Sequence, residues 1–349
     1  MNEIVVTAER LADELLFSRA LETDTAGAVP VDLLDALAAA GLYGLAGPAS
    51  AGGLEADFAT VCAVAEALAC GCLATTFVWA QHVGAVIAAA RSENAAIREW
   101  VAPLCRGERR AGLALGGALP GPAQLTARPN SDGWTFSGVS PFVSGWGRVD
   151  LIHTAARTAD GQLVWALLDE QESETLHVER LELVALNATA TVRADYADQA
   201  VPAARVTSVV PYEQGPPPPE LLRIHASFAL GVAARCCRLL DKRSFDAELD
   251  RLRAELDRLS PSTIEAARAA AGELALRTAA AVCVERGSRS LLLSEHGQRL
   301  VREALFCLVY ALRPDSRAAL LGQLRRPSLA GAASRDRARE GNERDPGTR

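Results

Sequence analysis

The run SDGWTFSGVSPFVSGWGRVDLIHTAAR, from Ser131 to Arg157, constrains the fold more than any other stretch of the chain. Asp132-Gly133 is a turn signal, and Trp134, Phe136 and Val139 then alternate with polar or small residues, the two-residue period of a half-buried strand. After the break Ser144-Gly145-Trp146-Gly147, an apolar run resumes with Val149, Leu151 and Ile152. Two strands joined by a wide, glycine-rich corner are expected, with Phe142, Ser144 and Trp146 on the corner where a flat ligand can rest. Nearly everything on either side reads as helix. A β segment therefore lies between two helical blocks, an α+β arrangement.

Taken in order, Leu11, Leu15 and Leu16 recur at helical spacing between Thr7 and Ala20, and Val31 to Ala40 repeats the pattern behind Pro30. GLYGLAGPASAGG, from Gly41 to Gly53, is a long loop. Its glycines make turns, and no Lys or Ser/Thr follows at the spacing of a phosphate-binding loop. Phe58 to Leu68 returns to helix. Strands are expected over Arg110 to Leu115, Leu125 to Pro129, Gly133 to Ser140, Val149 to Arg157, Val164 to Leu168 and within Leu181 to Asp195. QGPPPP, from Gln214 to Pro219, is a stiff linker. Three helices should follow: Arg223 to Leu240, with Ala229, Gly231 and Ala234 permitting close contact, then Phe245 to Leu259 and Pro261 to Arg286. Arg326 to Arg349 has little apolar content and is expected to be disordered. The expected division is an all-α part over 1–112, a β part over 113–213, the linker over 214–219, a helical part over 220–325 and the tail over 326–349.

Composition removes several function classes. With 349 residues at 49% hydrophobic content the chain can bury a large core. A formal net charge of -7 provides no basic field for nucleic acid. The eight cysteines lie mainly in apolar helical stretches, and neither Cys70-x-Cys72 nor Cys236-Cys237 has the spacing or histidine partners of a zinc site. Free thiols and no metal are expected. The N-terminus MNEIVVTAERLADELL lacks a basic region followed by an apolar core, and no apolar run reaches the length of about 20 residues that spans a bilayer. A single lysine, Lys242, among many arginines reflects a GC-rich coding sequence. A reduced, cytoplasmic, bacterial setting is expected.

The wording of the chain resembles the acyl-CoA dehydrogenase superfamily of flavoproteins. The family's first loop, G-L-x-G-L-x-x-P-x-x-x-G-G, is matched by Gly41, Leu42, Gly44, Leu45, Pro48, Gly52 and Gly53. Glu66, Ala74-Thr75-Thr76, His82 and Leu104-x-Arg106-Gly107 continue the similarity. The corner resembles G-x-K-x-W-I-T/S followed by Ala-Asp through Gly138, Pro141, Phe142, Val143, Ser144 and Val149-Asp150, and Val201-Pro202 resembles the close of the middle domain. Gln298-Arg299-x-x-Arg302-Glu303-Ala304 is similar to E-R-x-x-R-D-A. The resemblance implies an N-terminal helical domain, a central β-barrel and a C-terminal four-helix bundle, assembled as a homodimer or homotetramer around FAD.

It also implies site residues. Backbone amides of Gly116 and Gly117 stand where the family's Thr-Glu faces the flavin, and Phe142, Val143, Ser144 and Trp146 are the other expected cofactor contacts, Ser144 at the flavin N5 edge. In this family a carboxylate removes the proton α to an acyl thioester, carried on coenzyme A or a carrier protein, while hydride passes from the β carbon to flavin. The family's Y-E-G-T falls on Tyr310, Ala311, Leu312 and Arg313, so the chain has no carboxylate there. The R-x-x-F-G segment has only Arg243-Ser244-Phe245 as a counterpart. Some relatives carry the base on the first long C-terminal helix, which makes Glu220 and His225 the candidates. Glu220 also reads as a helix-start carboxylate and His225 as a bundle histidine. His82 is either a polar group near the substrate mouth or a helix histidine donating to a backbone carbonyl. The expected activity is that of a flavin-dependent oxidoreductase acting on an acyl thioester or similar small molecule. The alternatives are a flavin-dependent monooxygenase of the same fold, using FAD or FMN, and a redox-neutral descendant that partners an active homologue.

Overall fold

The structure, a computed structural model, describes residues 2–240 and 245–325. The tail from Arg326 and the Arg243-Ser244 pair lie outside the described residues. The N-terminal part comprises α1 (Glu3–Leu11), a π-helical turn (Ala12–Leu16), α2 (Ala20–Thr25), α3 (Val31–Ala39), α4 (Phe58–Gly71), α5 (Leu73–Arg91), α6 (Ala95–Arg98) and α7 (Val101–Cys105). Asn2 and Asp57 cap α1 and α4 by accepting from Ile4 and Thr60 amides. The single helix expected from Thr7 to Ala20 is instead divided at the π turn, where Asp13 pairs with Arg235 and Arg238 of the C-terminal part.

Eight strands follow: β1 (Ala111–Ala114), β2 (Leu125–Asn130), β3 (Gly133–Val143), β4 (Leu151–Arg157), β5 (Gln162–Asp169), β6 (Leu176–Arg180), β7 (Val192–Pro202) and β8 (Val206–Pro211). They form one sheet in the order β6-β7-β3-β2-β4-β5-β8, with β1 parallel to β4. Phe136, Val143, Ile152, Val164, Val192 and Ala194 build its core. The strand expected within Leu181 to Asp195 begins only at Val192. Leu186 and Ala190, both left-handed, bracket a short 3-10 turn before it. Ala188 of this turn is buried in the helical core, and its carbonyl accepts from Val29 N–H at 2.8 Å. Packing against helices overrides strand propensity there.

The C-terminal part holds α8 (Pro219–Leu239), α9 (Asp246–Asp257), α10 (Ile264–Arg286), α11 (His296–Val309) and α12 (Pro314–Leu324). α8 is the central helix, packed on both α4 and α10. The α4 contact depends on Gly231, where an added Cβ would meet the Glu66 carbonyl, Ala69 Cβ at 2.6 Å and Cys70 N at 2.9 Å. Backbone has no rotamer with which to yield, so Gly231→Ala is expected to destabilise by about 1–3 kcal/mol. A urea midpoint unchanged from wild type would refute that contact.

α5 has the length and apolar composition of a membrane span, yet most of it is buried inside the protein. Its role is that of a core helix. Trp79 donates to the Leu42 carbonyl at 3.1 Å, and Ala85, Val86 and Ala89 pack towards Ala111, Leu151 and Leu167 of the sheet.

Candidate functional site

The corner between β3 and β4 turns on Gly145 (φ 94) and Gly147 (φ 74), a region that side chains disfavour. Three links fix it. Gly145 N–H donates to the Thr189 carbonyl at 2.7 Å, Gly147 N–H to the Glu170 carboxylate at 2.6 Å, and Arg148 to the Val29 carbonyl at 2.6 Å. Behind the corner the hydroxyls of Ser144, Thr191 and Thr189 form a buried chain, with separations of 2.8 and 2.7 Å. Phe142 stands out as 64% exposed, Trp146 is half-buried against the sheet core, and Val143 is fully buried.

The polar groups expected to face a cofactor are engaged within the chain. Gly116 N–H donates to Ser140 Oγ at 3.2 Å and Gly117 N–H to the Ala155 carbonyl at 2.9 Å. Both glycines lie close to neighbouring backbone, with Ala156 Cα at 2.6 Å from a Cβ on Gly117. The loop after them is held by Arg157, which donates to the carbonyls of Gly117, Leu119 and Gly121 and lies 3.4 Å over the Tyr212 ring. That latch was missed in the sequence, since nothing local pairs an arginine with a tyrosine 55 residues later.

The second element is an aromatic cluster joining α5, α8 and α11. Phe306 and Tyr310 stack at 5.1 Å, and Phe77 meets them edge-on at 4.9 and 5.0 Å. Phe228 completes the cluster against Phe77 at 5.9 Å. His225 Nε2 lies 3.2 Å from the Tyr310 hydroxyl, and its Nδ1 is buried without a hydrogen-bond partner. Desolvation, followed by the charges of Arg268 and Arg313, holds His225 down to about 3, so it is neutral and a poor base at neutral pH. Glu220 is exposed in the first turn of α8, where the helix dipole favours a carboxylate. Ala311, at φ 49, directly follows the cluster.

His82 is far from any such role. It is 1% exposed, its Nδ1 accepts from Ala111 N–H at 3.0 Å, and its Nε2 donates to the Leu104 carbonyl at 3.0 Å. It joins α5 to β1. All eight cysteines are free, six of them buried. Two clefts, of about 350 Å³ beside Trp100 and Arg109 and about 460 Å³ beside Phe245 and Val284, border neither the corner nor the aromatic cluster.

Helices before and after an eight-stranded sheet, with the corner tied to the Val29 loop and the turn before β7, form the fold shared with the acyl-CoA dehydrogenases. Residues 2–108 match the family described as acyl-CoA dehydrogenase, N-terminal domain. Among curated proteins no sequence match is found. Solved structures align nearly end to end. A chain from the electron-transferring flavoprotein study of Acidaminococcus fermentans has a TM-score of 0.77 at 16% identity, over 94% of this chain and 99% of that one. A glutaryl-CoA dehydrogenase from Mycobacterium smegmatis, in complex with FADH2, gives 0.75 at 15%, over 93% and 95%. The methanesulfinate monooxygenase MsuC from Pseudomonas fluorescens gives 0.74 at 19%, over 92% and 96%. Over residues 2–108 the chain thus matches the acyl-CoA dehydrogenase N-terminal domain family, and as a whole it shares the fold of the acyl-CoA dehydrogenases.

Proposed function

We propose that the chain is an FAD-dependent oxidoreductase of the acyl-CoA dehydrogenase type that works without a carboxylate base on the segment after α11. The observation that carries this reading is the end-to-end correspondence with structures that include an FADH2 complex and a methanesulfinate monooxygenase. Bound FAD supplies a two-electron acceptor or, once reduced, a centre that reacts with oxygen. The apolar side of its fit is met by the exposed Phe142 and half-buried Trp146. The polar side is not met by Gly116, Gly117 or Ser144, whose donors are already taken. No proton or hydride step is assigned to them. Weak flavin retention follows from a site with few free donors.

An acyl thioester, on coenzyme A or a carrier protein, is the substrate class that the family suggests, in a cytoplasmic homodimer or homotetramer. The monooxygenase reading draws support from Ala311 and the neutral His225, because oxygen activation needs an apolar space rather than a hard base. The redox-neutral reading draws support from the engaged donors and the filled aromatic cluster.

The visible spectrum of the purified protein, before and after FAD addition and removal of excess, separates these readings. Partial flavin retention is expected, with anaerobic bleaching by an acyl thioester for a dehydrogenase, or oxygen consumption driven by reduced flavin for a monooxygenase. Absence of retained colour and of both activities would leave the redox-neutral reading.

A further inference from the structure

The ties that hold the corner between β3 and β4 are of two kinds. Gly145 N–H and the Arg148 side chain, on either side of it, reach the backbone carbonyls of Thr189 and Val29, which do not titrate. The peptide joining Trp146 to Gly147 is held by a charge instead, since Gly147 N–H donates to the Glu170 carboxylate at 2.6 Å. Gly145 (φ 94) and Gly147 (φ 74) lie on either side of Trp146, so the backbone here turns easily. Glu170 itself is fixed in place: it directly follows β5, and its N–H donates to the Asp150 carbonyl at 2.9 Å.

Among the described residues, the charges around this carboxylate are those of Asp150 and Arg148, with Arg109 behind Asp150 at 3.7 Å. We propose that Glu170 is the positioning residue for the face that the corner offers to a flat ligand, its ionised carboxylate holding the Trp146–Gly147 peptide in place and its protonation loosening that hold. A protonated carboxyl still accepts from Gly147 N–H, but as a neutral partner and about half as strongly. Partial burial, and after it the charge of Asp150, raise the Glu170 carboxyl above its ordinary value of 4.5, against the pull of the Gly147 bond and of Arg148. The hold is therefore complete at neutral pH and declines as pH falls towards 5. That the flat ligand is FAD rests on the flavin reading, whereas the hold on the peptide does not.

The full chain without flavin tests the hold. Trp146-Gly147 is the only Trp-Gly step in the sequence, so carbon-13 in tryptophan carbonyls and nitrogen-15 in glycine single out the Gly147 amide by NMR. Its proton signal is expected to move upfield, the direction of a weaker hydrogen bond, as pH falls from 8 to 5. Glu170→Gln, whose amide oxygen accepts as a neutral partner, should show the acid-side position at every pH. A wild-type signal that does not move, or a movement that survives in Glu170→Gln, would overturn the proposal. The affinity for FAD, read from the visible absorption of the protein, should fall by up to about five-fold over the same range in wild type and be low throughout in Glu170→Gln. Wild-type FAD affinity in Glu170→Gln would overturn the positioning role. A Gly147 signal that titrates as expected in a protein that takes up no FAD would overturn the flavin reading and leave the hold of Glu170 standing.

Discussion

Substitution of His82 by alanine is expected to lower the unfolding free energy by about 3 kcal/mol at pH 7.5, because it leaves the Ala111 N–H and Leu104 carbonyl buried without partners, each costing about 1–3 kcal/mol. The pH dependence makes the test specific. Since Ala111 donates to Nδ1, a proton arriving there would set two donors against each other. Burial, and after it the charge of Arg110, hold His82 down to about 4, against 6.5 for an ordinary histidine, while the bond to the Leu104 carbonyl pulls the other way. A depressed histidine stabilises the fold fully above 6.5, and this contribution is lost as pH falls towards 4, because the unfolded chain takes up the proton first. By pH 5 wild type should have lost about 2 kcal/mol through this group alone, so the deficit of His82→Ala should shrink to about 1 kcal/mol. His153, held down to about 4 by burial, and His225 share the direction and leave the variant some acid sensitivity. Urea denaturation of both proteins at pH 7.5 and 5 supplies the numbers. A deficit of the same size at both pH values would show that His82 is not neutral in the native state.

His82 also illustrates what the sequence could and could not convey. That a helix histidine would donate to a backbone carbonyl was legible from its place in an apolar helix. The second bond, to a strand 29 residues later, was not, since it depends on how α5 meets β1. The same division holds elsewhere. Turn and periodicity signals placed β3, the corner and β4, because Gly145, Gly147 and the alternating apolar residues act locally. The segment from Leu181 to Thr191 misled because its alternation looks like a strand, whereas its residues serve the helical core. At the proposed site, the resemblance puts Ala311 where the family carries a carboxylate. The Ser144–Thr191–Thr189 chain and the Arg157 latch were not, because each joins segments whose separation is set only by the finished sheet.

The other large effect concerns Arg299 and Glu303, paired one turn apart on α11 and 1% and 4% exposed. Burial pushes the Glu303 carboxyl up, against the pull of Arg299 and of a hydrogen bond from Leu73 N–H at the start of α5. Arg299 Nη2 and Glu303 Oε2 are both buried and unbonded, so the pair leaves part of its desolvation cost uncompensated. Removing one member strands the other's charge. Arg299→Met or Glu303→Leu alone should therefore cost about 3–5 kcal/mol. Replacing both removes the two stranded charges together, so the double variant should recover most of the loss and lie within about 2 kcal/mol of wild type. Simple additivity would instead put the double variant about 6–10 kcal/mol below wild type, close to the whole stability of an ordinary domain. A thermal and urea double-mutant cycle distinguishes the two. Recovery would mean that the pair matters for excluding unpaired charge between α11 and α5, whereas additive loss would mean that each side chain supports the helices through contacts of its own.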